Sequence, residues 1–113
     1  MKNTQLLNKT IQSLGIDKRY KGRKQLSLCV ELALDDESRL LYMTENIYIP
    51  VANECNCDYR NIERNIRTVA RRAWKLNSEK LIKMAGYTLV NSPSVSELIT
   101  ILVTYIERNS IDT

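Results

Sequence analysis

The chain contains no histidine and only three cysteines, three glycines and two prolines. Each scarcity excludes something. Without histidine there is no Ser–His or Cys–His nucleophilic pair and no imidazole metal ligand. Three cysteines are one short of an all-thiolate zinc site, and an odd, sparse count does not build a disulfide framework; it fits a reducing compartment. So few glycines and prolines leave too little punctuation for an all-β fold or an interdomain linker. No apolar run approaches the ~18–20 residues of a membrane span. The opening residues, MKNTQLLNKTIQ, lack the apolar stretch of a signal peptide. The expectation is a cytoplasmic protein with no enzymatic site, no metal and no cofactor.

What is present is an ordinary globular composition: 113 residues, 43% hydrophobic and 27% charged, with a formal net charge of +4. That length suits one domain with a real core. Helical spacing dominates. Leu6, Leu7, Ile11 and Leu14 mark a first helix, with Asn3 or Thr4 as its cap and Gly15 at its end. Residues 16–22 read as a charged connector. Residues 23–34 are apolar on most sides, as in a central buried helix. Asp35-Asp36-Glu37 resembles a carboxylate pair, but with no companion pocket residues it reads as a solvated junction. Ser38 is placed to cap a further helix, unless the preceding one continues. Ser78 is placed to cap a brief helix ending at Ala85 and Gly86, and residues 87–92 form a connector. Ser94-Val95-Ser96-Glu97 has the capping-box pattern. Behind it Val95, Leu98, Ile99, Leu102 and Ile106 form one stripe, and the tail from Asn109 is expected to fray. The fold class is all-α, with about six helices.

The most informative stretch is Asp58 to Lys75. At 3.6 residues per turn, Ile62, Ile66, Val69, Ala70, Ala73 and Trp74 share one face, and Arg60, Glu63, Arg64, Arg67 and Arg71 share the other. This stretch carries six basic and two acidic residues, a net +4, so the rest of the chain is neutral. An α-helix fits the DNA major groove, and arginine offers a donor fork matching guanine O6 and N7. Further arginines neutralise phosphates. A carboxylate such as Glu63 costs affinity there unless it accepts from cytosine N4 or orients an arginine. The competing reading is a solvated face with a Glu63–Arg67 pair, or a surface that binds an acidic protein. Residues 47–55 read as a short helix with Pro50 in its first turn. Residues 56–58 make a tight turn, and Asp58 is placed to cap the helix over residues 59–75. Helix, short turn and basic amphipathic helix together describe a helix-turn-helix. Lys18, Arg19, Lys21, Arg23 and Lys24 form a second basic cluster, read as either a phosphate contact or a solvated loop. Cys55-x-Cys57 reads as small apolar residues or a turn thiol rather than a metal or redox site.

The chain resembles the C-terminal DNA-binding effector domains of the stage-zero sporulation A response regulators. The residues that carry this are Lys21-Gly22, Thr44, Tyr48, Ala52, Asn56, Ile62-Glu63-Arg64-x-Ile66-Arg67, Ala73-Trp74, Gly86-Tyr87-Thr88 and Ser96-Glu97. The resemblance implies a six-helix fold that binds a double-stranded promoter element, in tandem or as a dimer, and regulates transcription. It implies that Glu63, Arg64 and Arg67 read bases, with Arg60, Asn61 and Arg71 beside them. By the same analogy, residues 78–85 and their connector offer a contact for RNA polymerase. The pattern departs from the family in four places. Asn61 stands where the family has arginine, Cys55 where it has an aromatic, Pro50 lies one residue late, and the connector from Gly86 to Ser96 is shorter. The family's receiver domain has no counterpart here. Residues 1–113 are expected to be a single effector domain, either excised or free-standing.

Overall fold

A computed structural model describes residues 2–110. Five α-helices appear: α1 (Lys2–Ser13), α2 (Lys21–Asp35), α3 (Ile49–Cys55), α4 (Tyr59–Ala85) and α5 (Val95–Ser110). A turn of 3₁₀ helix over Glu37–Tyr42 and a wide π turn over Thr44–Tyr48 bridge α2 to α3. There is no strand among the described residues. The all-α expectation holds.

The helices assemble because each buries a stripe. Leu7 and Ile11 of α1, with Leu14 and Ile16 beyond it, sit at 0–1% exposure. From α4 come Ile62, Ile66, Val69, Ala70 and Ala73. At about 1.5–3 kcal/mol for each large aliphatic side chain removed from water, this shared core is the main stabilising term. Trp74 is only half-buried, packed on the edge of that core. Helix α2 is central, as expected: it packs against α1, α3, α4, α5 and both intervening turns. Helix α5 buries seven residues against α1, α2 and α4, including Ile101 and Val103 outside the expected stripe. An α2 that is apolar on most sides in sequence has Leu28, Leu32 and Leu34 only half-covered.

Several local expectations need correction. Helix α1 begins at Lys2, so Thr4 lies within the helix; its hydroxyl donates to Glu31 Oε2 at 3.1 Å rather than capping. The Asn3 side chain lies outside the described residues. Helix α2 starts at Lys21, inside the expected connector. Asp36, not Ser38, caps the 3₁₀ turn, accepting from Ser38 N at 3.1 Å and Ser38 Oγ at 2.7 Å. Ser94 Oγ does accept from Glu97 N at 3.2 Å, but the Glu97 carboxylate accepts from Tyr87 Oη at 2.9 Å instead of closing the box. Helix α5 runs past Asn109 to Ser110; the rest of the tail, 111–113, lies outside the described residues. The 59–75 and 78–85 segments run on as one element, broken at Asn77 (φ −146°, ψ 48°). Asn77 rather than Ser78 therefore occupies the junction. Its amide donates to Leu14 O at 3.0 Å, pinning the break to the end of α1.

Two further devices hold the ends. Gly86, at φ +77°, closes α4 with its N–H on Ile82 O, and Arg108 Nη2 donates to Met84 O at 2.8 Å. A cation on the last free carbonyls of a helix satisfies them and offsets the negative end of its dipole. Near α3, Pro50 has no N–H for the carbonyl four residues back. That carbonyl, Asn46 O, accepts from Arg39 Nη1 at 2.6 Å. The side chain replaces the bond that proline cannot make.

Candidate nucleic-acid interface

The site is built from the turn outward. Helix α3 ends at Cys55, and its cap Asn56 adopts left-handed geometry (φ 59°, ψ 47°). Asparagine tolerates that region better than most residues. Cys57 N donates to Ala52 O at 2.9 Å, tightening the turn. Asp58 then caps α4 as expected, its Oδ1 accepting from Arg60 N at 2.8 Å. Ala52, 2% exposed, sits buried in α3, where its small side chain permits close approach to α4. The backbone thus follows the expected order of short helix, three-residue turn and capped basic helix.

Beyond the cap, Arg60, Arg64, Arg67, Arg71, Arg72 and Lys75 are all exposed. Thr68 shares this exposed surface, with its hydroxyl on Arg64 O at 3.2 Å. A charge count could not find Thr68, because it is neutral. Asn61 and Glu63 are half-buried and mark the two edges of the face. Glu63 lies on the side of the π turn, where its charge, after burial itself, helps push the Tyr48 phenol upward in pKa. Tyr48 Oη is held 3.6 Å from Met43 Sδ. On the opposite edge, Asn65 Nδ2 donates to Gln25 Oε1 of α2 at 3.0 Å.

Electrostatics divides the arginines. Among the described residues only two ion pairs form, Asp17–Arg19 and Asp58–Arg60. Arg60 is gripped by Asp58 through Nε at 3.1 Å and Nη2 at 3.0 Å, and its guanidinium lies 5.9 Å from the Tyr59 ring centre. The hydrogen bonds from Arg60 hold the Asp58 carboxyl at about 2. The Glu63–Arg67 pair does not form. Arg64, Arg67, Arg71, Arg72 and Lys75 therefore face solvent with no carboxylate against them.

Burial pushes the Cys29 thiol up to about 12, and burial also raises Cys55. Cys55 and Cys57 are free and half-buried. No cluster of three metal-ligating side chains occurs among the described residues, and no helix there is long and apolar enough to cross a membrane.

Fold and face together define a small all-helical domain whose bare cationic helix suits a polyanion. The sequence carries this further: it matches the family described as "Sporulation initiation factor Spo0A C terminal" over residues 7–106, nearly the whole chain. The chain belongs to that family, whose members are DNA-binding effector domains of sporulation regulators rather than enzymes. No solved structure matches it.

Proposed function

We propose that this domain is a sequence-specific transcription regulator that lays residues 59–75 of α4 in the major groove of a promoter element. Residues 47–58 and the start of α4 serve as its helix-turn-helix. The carrying observation is the set of exposed arginines, Arg64, Arg67 and Arg71, that form no ion pair with a carboxylate among the described residues. Arg64 and Arg67 are positioned to read bases, with Glu63 accepting or orienting at the π-turn edge and Asn61 at the other. Arg60, held by Asp58, and Arg71 address the flanking backbone. Tandem or dimeric binding belongs to the same reading. So does contact with RNA polymerase, for which residues 78–92 are the candidate surface; Tyr87 and Val90 stand 50% and 82% exposed there.

The test is selection of duplexes from a genomic fragment pool, followed by sequencing of the retained DNA and titration across salt. The expected result is one recurring motif, bound more tightly than scrambled DNA at every salt concentration. Retention without a motif, alongside a tight acidic protein partner in pull-down, would instead make the basic face a protein-binding surface.

A further inference from the structure

The second basic cluster is sorted by the fold into two kinds of residue. Arg19 is bound to Asp17, with Nη2–Oδ2 at 2.8 Å, and those hydrogen bonds hold the Asp17 carboxyl at about 2. Arg23 ties α2 back to α1, donating to Gln12 Oε1 at 2.6 Å and Ile16 O at 2.7 Å. Both are occupied with internal partners. Lys18, Lys21 and Lys24 are exposed, with no ion pair among the described residues. All three line one open groove of about 860 Å³ between α1 and α2. Its single lining carboxylate, Glu31, accepts the Thr4 hydroxyl.

The position of this groove gives it meaning. Gln25 and Cys55 also line it. Gln25 is bonded to Asn65 of α4, and Cys55 ends α3 just before the turn into α4. The Lys24 charge acts on the Cys55 thiol, so Lys24 stands near that turn. The groove therefore adjoins the edge of the α4 face defined by Asn65. The π turn that holds Tyr48 adjoins the edge defined by Glu63. Asn65 and Glu63 are two residues apart, which places them about 200° apart around a helix of 3.6 residues per turn. A helix seated in a major groove ~12 Å wide has a phosphate strand on either side.

We infer that Lys18, Lys21 and Lys24 form a clamp for the DNA phosphate strand on the Asn65 flank of α4. This rests on the DNA-binding reading above and extends its footprint to a surface away from the helix-turn-helix. The lysines supply charge and no base preference, since phosphate contacts position a protein without reading sequence. Each phosphate neutralised releases counterions and adds about 0.9 to the slope of log affinity against log salt.

The experiment uses the whole chain and the motif recovered by selection. The double variant Lys18→Gln/Lys24→Gln is compared with Lys9→Gln/Lys83→Gln, which removes the same charge from the groove between α1, α4 and α5. Circular dichroism and melting establish that both are folded. The expected result is a salt slope lower by about two in the first variant and little changed in the second, with the motif preference of both intact. Phosphate ethylation interference on the wild type is expected on the strand beyond the Asn65 edge, and that interference is lost in the first variant. Equal slopes for the two variants, or unchanged interference, would overturn the clamp while Arg64→Ala still weakens motif binding and so leaves the reading helix standing. A wild-type chain that binds no DNA would overturn the clamp and the DNA-binding reading together.

Discussion

Gly22 of α2 lies against Asn65 of α4 so closely that any β-carbon at position 22 would overlap the Asn65 carbonyl oxygen and sit 2.7 Å from Val69 Cγ2. Beside this contact, Asn65 Nδ2 reaches Gln25 Oε1. The two helices are thus clasped at the point where α4 presents its arginines to solvent. The glycine is required by close approach, not by backbone conformation.

Gly22→Ala is expected to destabilise the domain. Overpacking a rigid backbone contact costs about 1–3 kcal/mol. Alanine recovers at most ~1 kcal/mol through its better helix propensity. The overlap wins, and the denaturant midpoint falls with an unchanged m-value. A variant as stable as the wild type would mean that α2 moves off α4 freely.

The reading face makes a residue-by-residue prediction. Arg64→Ala and Arg67→Ala should each weaken motif binding by about 1–3 kcal/mol, roughly five- to 150-fold, because each would lose a base contact. Arg72→Ala should mainly lower the salt slope by about one. Glu63→Ala should relax base preference at one position. Competition assays with motif and single-base variants separate these outcomes; a pure affinity gain for Glu63→Ala would deny that residue a reading role.

The Asp58 cap predicts a pH dependence. Its folded carboxyl is held at about 2 by Arg60, below the ordinary value of 3.8. A depressed carboxylate stabilises the fold above its unfolded pKa and loses that contribution as pH falls through the folded value. Asp58→Asn keeps a capping oxygen but not the charge. Wild type is therefore expected to melt above Asp58→Asn at pH 5–7, the difference closing between about pH 4 and pH 2. A difference constant with pH would remove the charge from the explanation.

Glu107 on α5 carries the opposite sign. The Glu37 carboxyl beside it, and then burial, raise it from 4.5 to about 7. A raised carboxyl favours the fold when protonated; that contribution is complete below about pH 4.5 and lost as pH rises through 7. The melting temperature should drop from pH 5 to pH 8. In Glu37→Gln the Glu107 resonance should titrate lower, and the drop should shrink. A carboxyl NMR titration reads this directly.

The elements themselves were legible because helix signals are local. The stripe Ile62, Ile66, Val69, Ala70, Ala73 repeats at the helical period within one segment, and all five side chains are buried. Asp58 caps from two residues away. Pro50 lies in the first turn of α3. Where a cap could be offered by neighbouring residues, as at Asp36 and Ser38 or Asn77 and Ser78, spacing could not choose between them. Asn77 was decided by Leu14, 63 residues earlier.

By itself, then, the sequence determined an all-helical chain with its whole net charge on one amphipathic helix, because periodicity and charge are properties of neighbouring residues. The tertiary structure decided which of those charges stay free. Asp58 and Asp17 occupy Arg60 and Arg19, Arg23 holds α1 to α2, and Glu63 stands near Tyr48 without pairing to Arg67. It also decided that α5 buries Ile101 and Val103 beyond its sequence stripe, and that Lys18, Lys24 and Cys55 line one groove. These outcomes depend on where helices distant in sequence cross, and crossing is set by packing contacts such as Gly22 on Asn65 that no local pattern encodes.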